Sequence, residues 1–197
     1  MFRAFLHTTS ARAGLSASPL NRRSLSYASQ HSVFPATLYR FQIHRRSDLY
    51  DRRLEQDDWE YEDGVEVSDD DGLVRPKVAP RVSNGALFMP NTHFMQEITR
   101  RSFDNYLDGV DSGKPTAEPH YLCIPQGTSI PNVLTLFREQ ASRFSLQPSY
   151  PMTLAALNEA LTKFYSESGH VIAAEEWLDK NPYHEAGFDD SEDWMSK

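Results

Sequence analysis

Polar and apolar positions alternate over residues 37–44, with Tyr39, Phe41 and Ile43 on one face and Leu38, Arg40, Gln42 and His44 on the other. That period of two predicts a β-strand with an arginine on its less apolar face. The Gly- and Pro-bounded run GlyAlaLeuPheMetPro at 85–90 predicts a short buried strand. Over 92–107, Phe94, Met95, Ile98, Phe103 and Leu107 fall partly at helical spacing and predict a helix or helical turn. The polar, Gly- and Pro-containing residues 108–120 read as a surface loop. A second short strand is predicted at 121–125, followed by a turn at GlnGlyThr. Pro131 then suits the first turn of a helix striped by Leu134, Phe137 and Ala141. Residues 144–148 alternate again, placing Phe144 and Leu146 inward and Ser145 and Gln147 on an outward polar face.

The clearest helix signal begins at Pro151, where Leu154, Leu157, Leu161 and Phe164 recur every three or four positions, with Asn158 and Lys163 off the stripe. A last helix is expected through Val171, Ile172 and Leu178, ending before Pro182. Short strands and helices in mixed order predict an α+β domain over residues 36–181 with one core.

Charge divides the 197 residues unevenly. Residues 1–47 hold seven Arg and no acid, which leaves 13 basic against 28 acidic residues in the remainder, a formal −15. An acidic body repels phosphate backbones and makes nucleic acid an unsuitable partner. Residues 1–35, rich in Arg, Ser, Ala and Leu, read as a disordered presequence for the mitochondrial matrix; a basic tail on a cytoplasmic protein is the alternative. Twelve acids between Asp48 and Asp71 describe a solvated insertion, and residues 182–197 an acidic disordered tail. Every apolar run falls short of the roughly 18–20 residues of a membrane-spanning helix.

No phosphate-binding Gly-rich loop, HExxH or GxSxG motif occurs, and the His residues are not spaced as metal ligands. The single cysteine, Cys123, excludes an internal disulfide and a thiolate zinc site, and in an apolar strand it reads as an inert small hydrophobe.

Four blocks stand in order: ThrLeuTyrArg at 37–40, GlyAlaLeuPheMetProAsnThr at 85–92, LeuCysIleProGlnGlyThrSerIlePro at 122–131 and PheSerLeuGlnProSerTyrProMet at 144–152. In this order they resemble bacterial type VI secretion toxins with an ADP-ribosyltransferase-like fold, and the likeness extends from about Thr37 to Phe164. The resemblance implies a split β-sheet core, flanking helices and a cleft that in related enzymes holds NAD; with the import reading of the leading residues, the chain is expected to be a eukaryotic, fungal relative of that family. The implied activity is NAD-dependent transfer of ADP-ribose to a macromolecular acceptor as a toxin, without a metal and with an inhibitor protein as a partner.

On that resemblance Arg40 supplies planar charged donors for the pyrophosphate or adjoining ribose. Its other reading is a surface salt bridge to the acidic insertion. Asn91 and Thr92 either shape the nicotinamide pocket or cap the next helix. Ser102, with Arg101, is drawn toward the same cleft by a Thr-Ser pair in the related toxins, although the nearby Thr is here Thr99. Tyr39 either stacks on nicotinamide or packs in the core. The usual late-strand Glu is missing: Gln147 holds that place and would hold the ribose hydroxyl. Glu139 and Glu159, on neighbouring helices, are the substitute acids. Arg143 stands where the bacterial toxins carry a His. The lost acid also admits a domain that keeps the fold without the reaction, or a toxin using a non-NAD reaction in the same cleft.

Overall fold

The computed structural model describes residues 29–42, 46–53, 63–77, 83–140 and 142–182. In chain order these form β1 (Ser29–His31), β2 (Leu38–Gln42), β3 (Tyr50–Asp51), β4 (Gly64–Val65), β5 (Leu73–Val74), β6 (Ala86–Phe88), α1 (His93–Asp111), β7 (His120–Ile124), β8 (Leu134–Gln140), β9 (Arg143–Pro148), β10 (Met152–Thr153), α2 (Leu154–Ser168), β11 (His170–Ala173) and α3 (Ala174–Lys180). A four-stranded antiparallel sheet runs β1-β8-β9-β6, and a three-stranded one runs β11-β7-β2. They meet where Tyr39 of β2 and Met89, just after β6, exchange both backbone hydrogen bonds at 2.8 and 2.9 Å. This is the expected α+β architecture with a split sheet.

The period of two explains the two cores. Leu38 on β2 and Leu122 and Ile124 on β7 face one way, joining Ala86, Phe88, Leu136, Phe144 and Leu146 of the larger sheet beneath Leu157, Leu161, Phe164 and Tyr165 of α2. The opposite residues, Tyr39, Phe41 and Tyr121, join Leu87, Met89, Met95 of α1 and Trp177 of α3. Tyr121 and Trp177 stack with ring centroids 4.6 Å apart, and Tyr39 meets Trp177 edge-on at 5.4 Å. α2 follows its predicted stripe, and Thr153 caps it by accepting from Ala156 N. α1 begins as expected and runs on to Asp111, past the loop boundary read at 108.

Four segments depart from the expectation. The helix placed after Pro131 is strand β8: Leu134 and Leu136 are buried, and the segment pairs with β9 throughout. Residues 170–173 are strand β11, because Val171 and Ile172 complete the ladder beside β7. The acidic insertion is not wholly solvated: β3 and β4 pair in parallel, and Leu49 and Val65 are core residues. The leading segment joins the domain before residue 36, since β1 pairs with β8 and Phe34 packs edge-on against Phe88. Residues 1–28, 183–197, Ile43 and His44 of the first strand and the centre of the insertion lie outside the described residues. Among those described, no helix is long and apolar enough to cross a membrane.

Candidate active site

Arg40 lies on the core-facing side of β2, not on a solvent-facing one, and is only 4% exposed. Its Nε donates to Gln42 Oε1 at 3.2 Å, Nη1 to the Leu87 carbonyl of β6 at 3.3 Å, and Nη2 to Asp63 Oδ1 at 2.5 Å. The ion-pair partner does come from the acidic insertion, but the Arg40 end of the pair is withdrawn from solvent while Asp63 stays 38% exposed. Tyr165 of α2 senses the charges of both Arg40 and Asp63, and burial pushes its hydroxyl up to about 12, so it remains a neutral donor. Gln42 is also buried, and its Nε2 has no hydrogen-bond partner among the described residues.

Local structure explains why Asp63 reaches Arg40. Asn158, off the apolar stripe of α2, accepts from Ser47 Oγ and Leu49 N at 2.7 and 2.9 Å and donates to Leu49 O at 2.8 Å. The anchored chain enters β3, whose Tyr50 N donates to the Asp63 carbonyl at 3.2 Å as β4 begins.

A second polar cluster sits on the larger sheet. Ser145 and Gln147, expected to face outward, are fully buried on β9. Ser145 Oγ donates to Glu139 Oε1 at 2.5 Å, while Gln147 Nε2 lies 2.7 Å from Ser145 Oγ and 3.3 Å from Glu139 Oε1. Gln147 further accepts from Lys77 N at 2.7 Å and donates to Lys77 O at 3.0 Å, strapping residues 75–77 across the sheet. Glu139 is therefore neither helical nor solvent-facing. It occupies the register shift between Arg138 and Gln140, the kind of irregularity that re-aims a side chain. It is 8% exposed, and its Oε2 has no partner among the described residues. Burial raises the Glu139 carboxyl above its ordinary value, opposed by the Ser145 hydrogen bond, the Arg143 charge and Gln147. Only the β6 backbone links the clusters: Leu87, whose carbonyl takes Arg40, stands opposite Ser145 in the ladder, but the Arg40 side chain lies on the Leu38 face under α2 and Ser145 on the opposite, Leu87 face.

The other candidates form a different group. Tyr39 donates from its hydroxyl to Asn181 Oδ1 at 3.0 Å within the aromatic cluster, and burial pushes it up to about 12. Asn91 Nδ2 donates to Asn181 O at 3.2 Å, and Asn91 Oδ1 accepts from Gln96 at 2.8 Å. Thr92 caps α1, accepting from Met95 N at 3.3 Å. Thr99 is buried 2.6 Å from the Tyr121 hydroxyl, whereas Ser102 is half-buried one turn further along. Glu159 is exposed on α2, and no hydrogen bond or ion pair among the described residues ties it to either polar cluster. Cys123 is buried, its thiol pushed up to about 11 by desolvation.

Against known families, the model of the Tse2 ADP-ribosyltransferase toxin matches residues 36–177. The chain belongs to that family. No curated protein matches it. The Tse2-family match covers the three-stranded sheet, the four-stranded sheet apart from β1, both polar clusters and the insertion, and it makes the domain an ADP-ribosyltransferase-like toxin, a class that implies NAD as substrate. Within this Tse2-family domain the sequence had pointed to Arg40 and Gln147 but passed over Asp63, Gln42 and the burial of Glu139. The alternation of Thr135, Phe137 and Glu139 against Leu134 and Leu136 was the available signal for Glu139. Asp63 had none, being one acid among twelve.

Proposed function

We propose that the domain transfers ADP-ribose from NAD to a macromolecular acceptor, with Arg40 and Glu139 as its two principal site residues. The observation that carries this reading is that each residue is accompanied by a buried polar atom with no partner among the described residues: Gln42 Nε2 beside Arg40, and Oε2 of Glu139 itself. A buried donor beside an arginine suits phosphate oxygens, and a buried acceptor suits a ribose hydroxyl. NAD supplies an N-glycosidic bond that breaks with its electron pair leaving on nicotinamide, while an acceptor nucleophile bonds to the ribose carbon and gives up its proton.

Arg40 and Gln42 hold the phosphate end. The Glu139 carboxylate faces the positive charge that develops on the ribose, and its incompletely compensated burial strengthens that attraction. Gln147 and Ser145 are positioning residues, fixing Glu139 Oε1 so that Oε2 stays available. This reading moves the ribose contact from Gln147 to Glu139, because Gln147 already spends its amide on Lys77, Ser145 and Glu139. That same expenditure favours the second reading, a binding domain that keeps the fold without the reaction.

The basic leading residues support import into the mitochondrial matrix of a eukaryotic cell, and a toxin calls for an inhibitor protein. Calorimetric titration of the full-length protein with NAD tests the site. Binding that Arg40→Ala weakens by about tenfold or more supports it; equal affinity in a folded variant removes Arg40 from the site.

A further inference from the structure

The Arg40–Asp63 contact has the chemistry of an arginine meeting a phosphate. We infer that the Asp63 carboxylate is an internal stand-in for a pyrophosphate oxygen, closing the Arg40 anion site until a phosphate ligand displaces it. This inference rests on the assignment of Arg40 to the phosphate end of NAD. Three features carry it. Asp63 Oδ1 stands 2.5 Å from Nη2 of a guanidinium that is 4% exposed, while Asp63 itself is 38% exposed, so the anion sits at the mouth and the cation beneath it. Gln42 Nε2 is buried with no partner among the described residues, on the very amide whose oxygen takes Arg40 Nε, so one more donor is present than the carboxylate satisfies. The Tyr165 hydroxyl, held neutral by burial, lies close enough to feel both charges.

Asp63 is a built part of the fold. The chain from Asn158 through Leu49 to the β3·β4 pairing fixes it in place. Loss of the Asp63 carboxylate takes a negative charge from a buried cation, which favours the entry of another anion. A phosphate ligand must therefore displace a tethered carboxylate, and its observed affinity is lowered by that competition.

The test uses inorganic pyrophosphate as the probe, titrated calorimetrically into the full-length protein and its variants. Asp63→Asn is expected to bind pyrophosphate at least about tenfold more tightly than wild type, and Asp63→Glu to stay near it. Adding Arg40→Gln to Asp63→Asn should abolish the gain. Asn158→Ala, which keeps the carboxylate but loosens its anchor, should shift affinity in the same direction by a smaller factor. A folded Asp63→Asn protein that binds pyrophosphate no more tightly than wild type overturns the inference, as does a gain that survives loss of Arg40. Nicotinamide release is read separately. Tighter pyrophosphate binding without release upholds the stand-in and defeats ADP-ribosyl transfer; release without tighter binding does the reverse.

Discussion

Ser145 Oγ and Glu139 Oε1 are 2.5 Å apart across two neighbouring strands, and this hydrogen bond fixes one oxygen of a buried carboxyl while the other has no partner among the described residues. The register shift at Arg138/Gln140 brings the two side chains together. In the proposed reaction it supplies the negative charge that the late strand, with Gln147, does not carry.

Glu139 leaves a signature in the pH dependence of stability. Its folded value lies above the unfolded one, chiefly through burial, so the protonated form is favoured by the fold. Its stabilising contribution is complete below the ordinary carboxylate range and is lost as pH rises through the raised value. Thermal melts of wild type and Glu139→Gln from pH 4 to 8 should therefore show wild type losing stability relative to the variant as pH rises. Parallel curves would mean that Glu139 ionises in the fold as it does in water.

Gln147 carries the strap. Gln147→Ala removes both hydrogen bonds to the Lys77 backbone and two contacts within the carboxyl cluster. Urea denaturation is expected to show a loss of about 1–3 kcal/mol, the cost of leaving buried polar groups unsatisfied. A change below about 0.5 kcal/mol, the usual scale for exposed surface substitutions, would show that the strap adds nothing to the fold.

Gly85 permits the close approach of β6 to β9. A Cβ at this position would stand 2.2 Å from the Leu146 carbonyl oxygen and 2.9 Å from Gln147 Cα, both backbone atoms that cannot swing aside. Gly85→Ala is expected to cost at least about 1–3 kcal/mol in chemical denaturation. It should also lower NAD affinity, since β6 supplies the carbonyl that holds Arg40. A variant as stable as wild type would contradict this packing.

The sequence was most legible where one pattern had one meaning. Leu154, Leu157, Leu161 and Phe164 admit only a helix, and α2 is where they place it. Leu134, Phe137 and Ala141 fit a helical stripe, yet Leu134 and Leu136 equally fit a strand; pairing with β9, absent from any local window, decides between them. On β2 both faces are buried, one under α2 and one under Trp177, so the apolar face that Tyr39 and Phe41 suggested did not reveal that Arg40 was buried too. The Arg40–Asp63 pair spans 23 positions and depends on Asn158, nearly a hundred residues later. No spacing rule reaches that far.

Nicotinamide release from NAD by the full-length protein, measured beside Arg40→Ala and Glu139→Gln, tests the central claim most directly. Wild type should release nicotinamide, Glu139→Gln should be slower by roughly a hundredfold or more while retaining NAD binding, and Arg40→Ala should lose binding and release together. Release that is unchanged in folded Glu139→Gln, or absent from wild type and Asp63→Asn alike, would contradict the account.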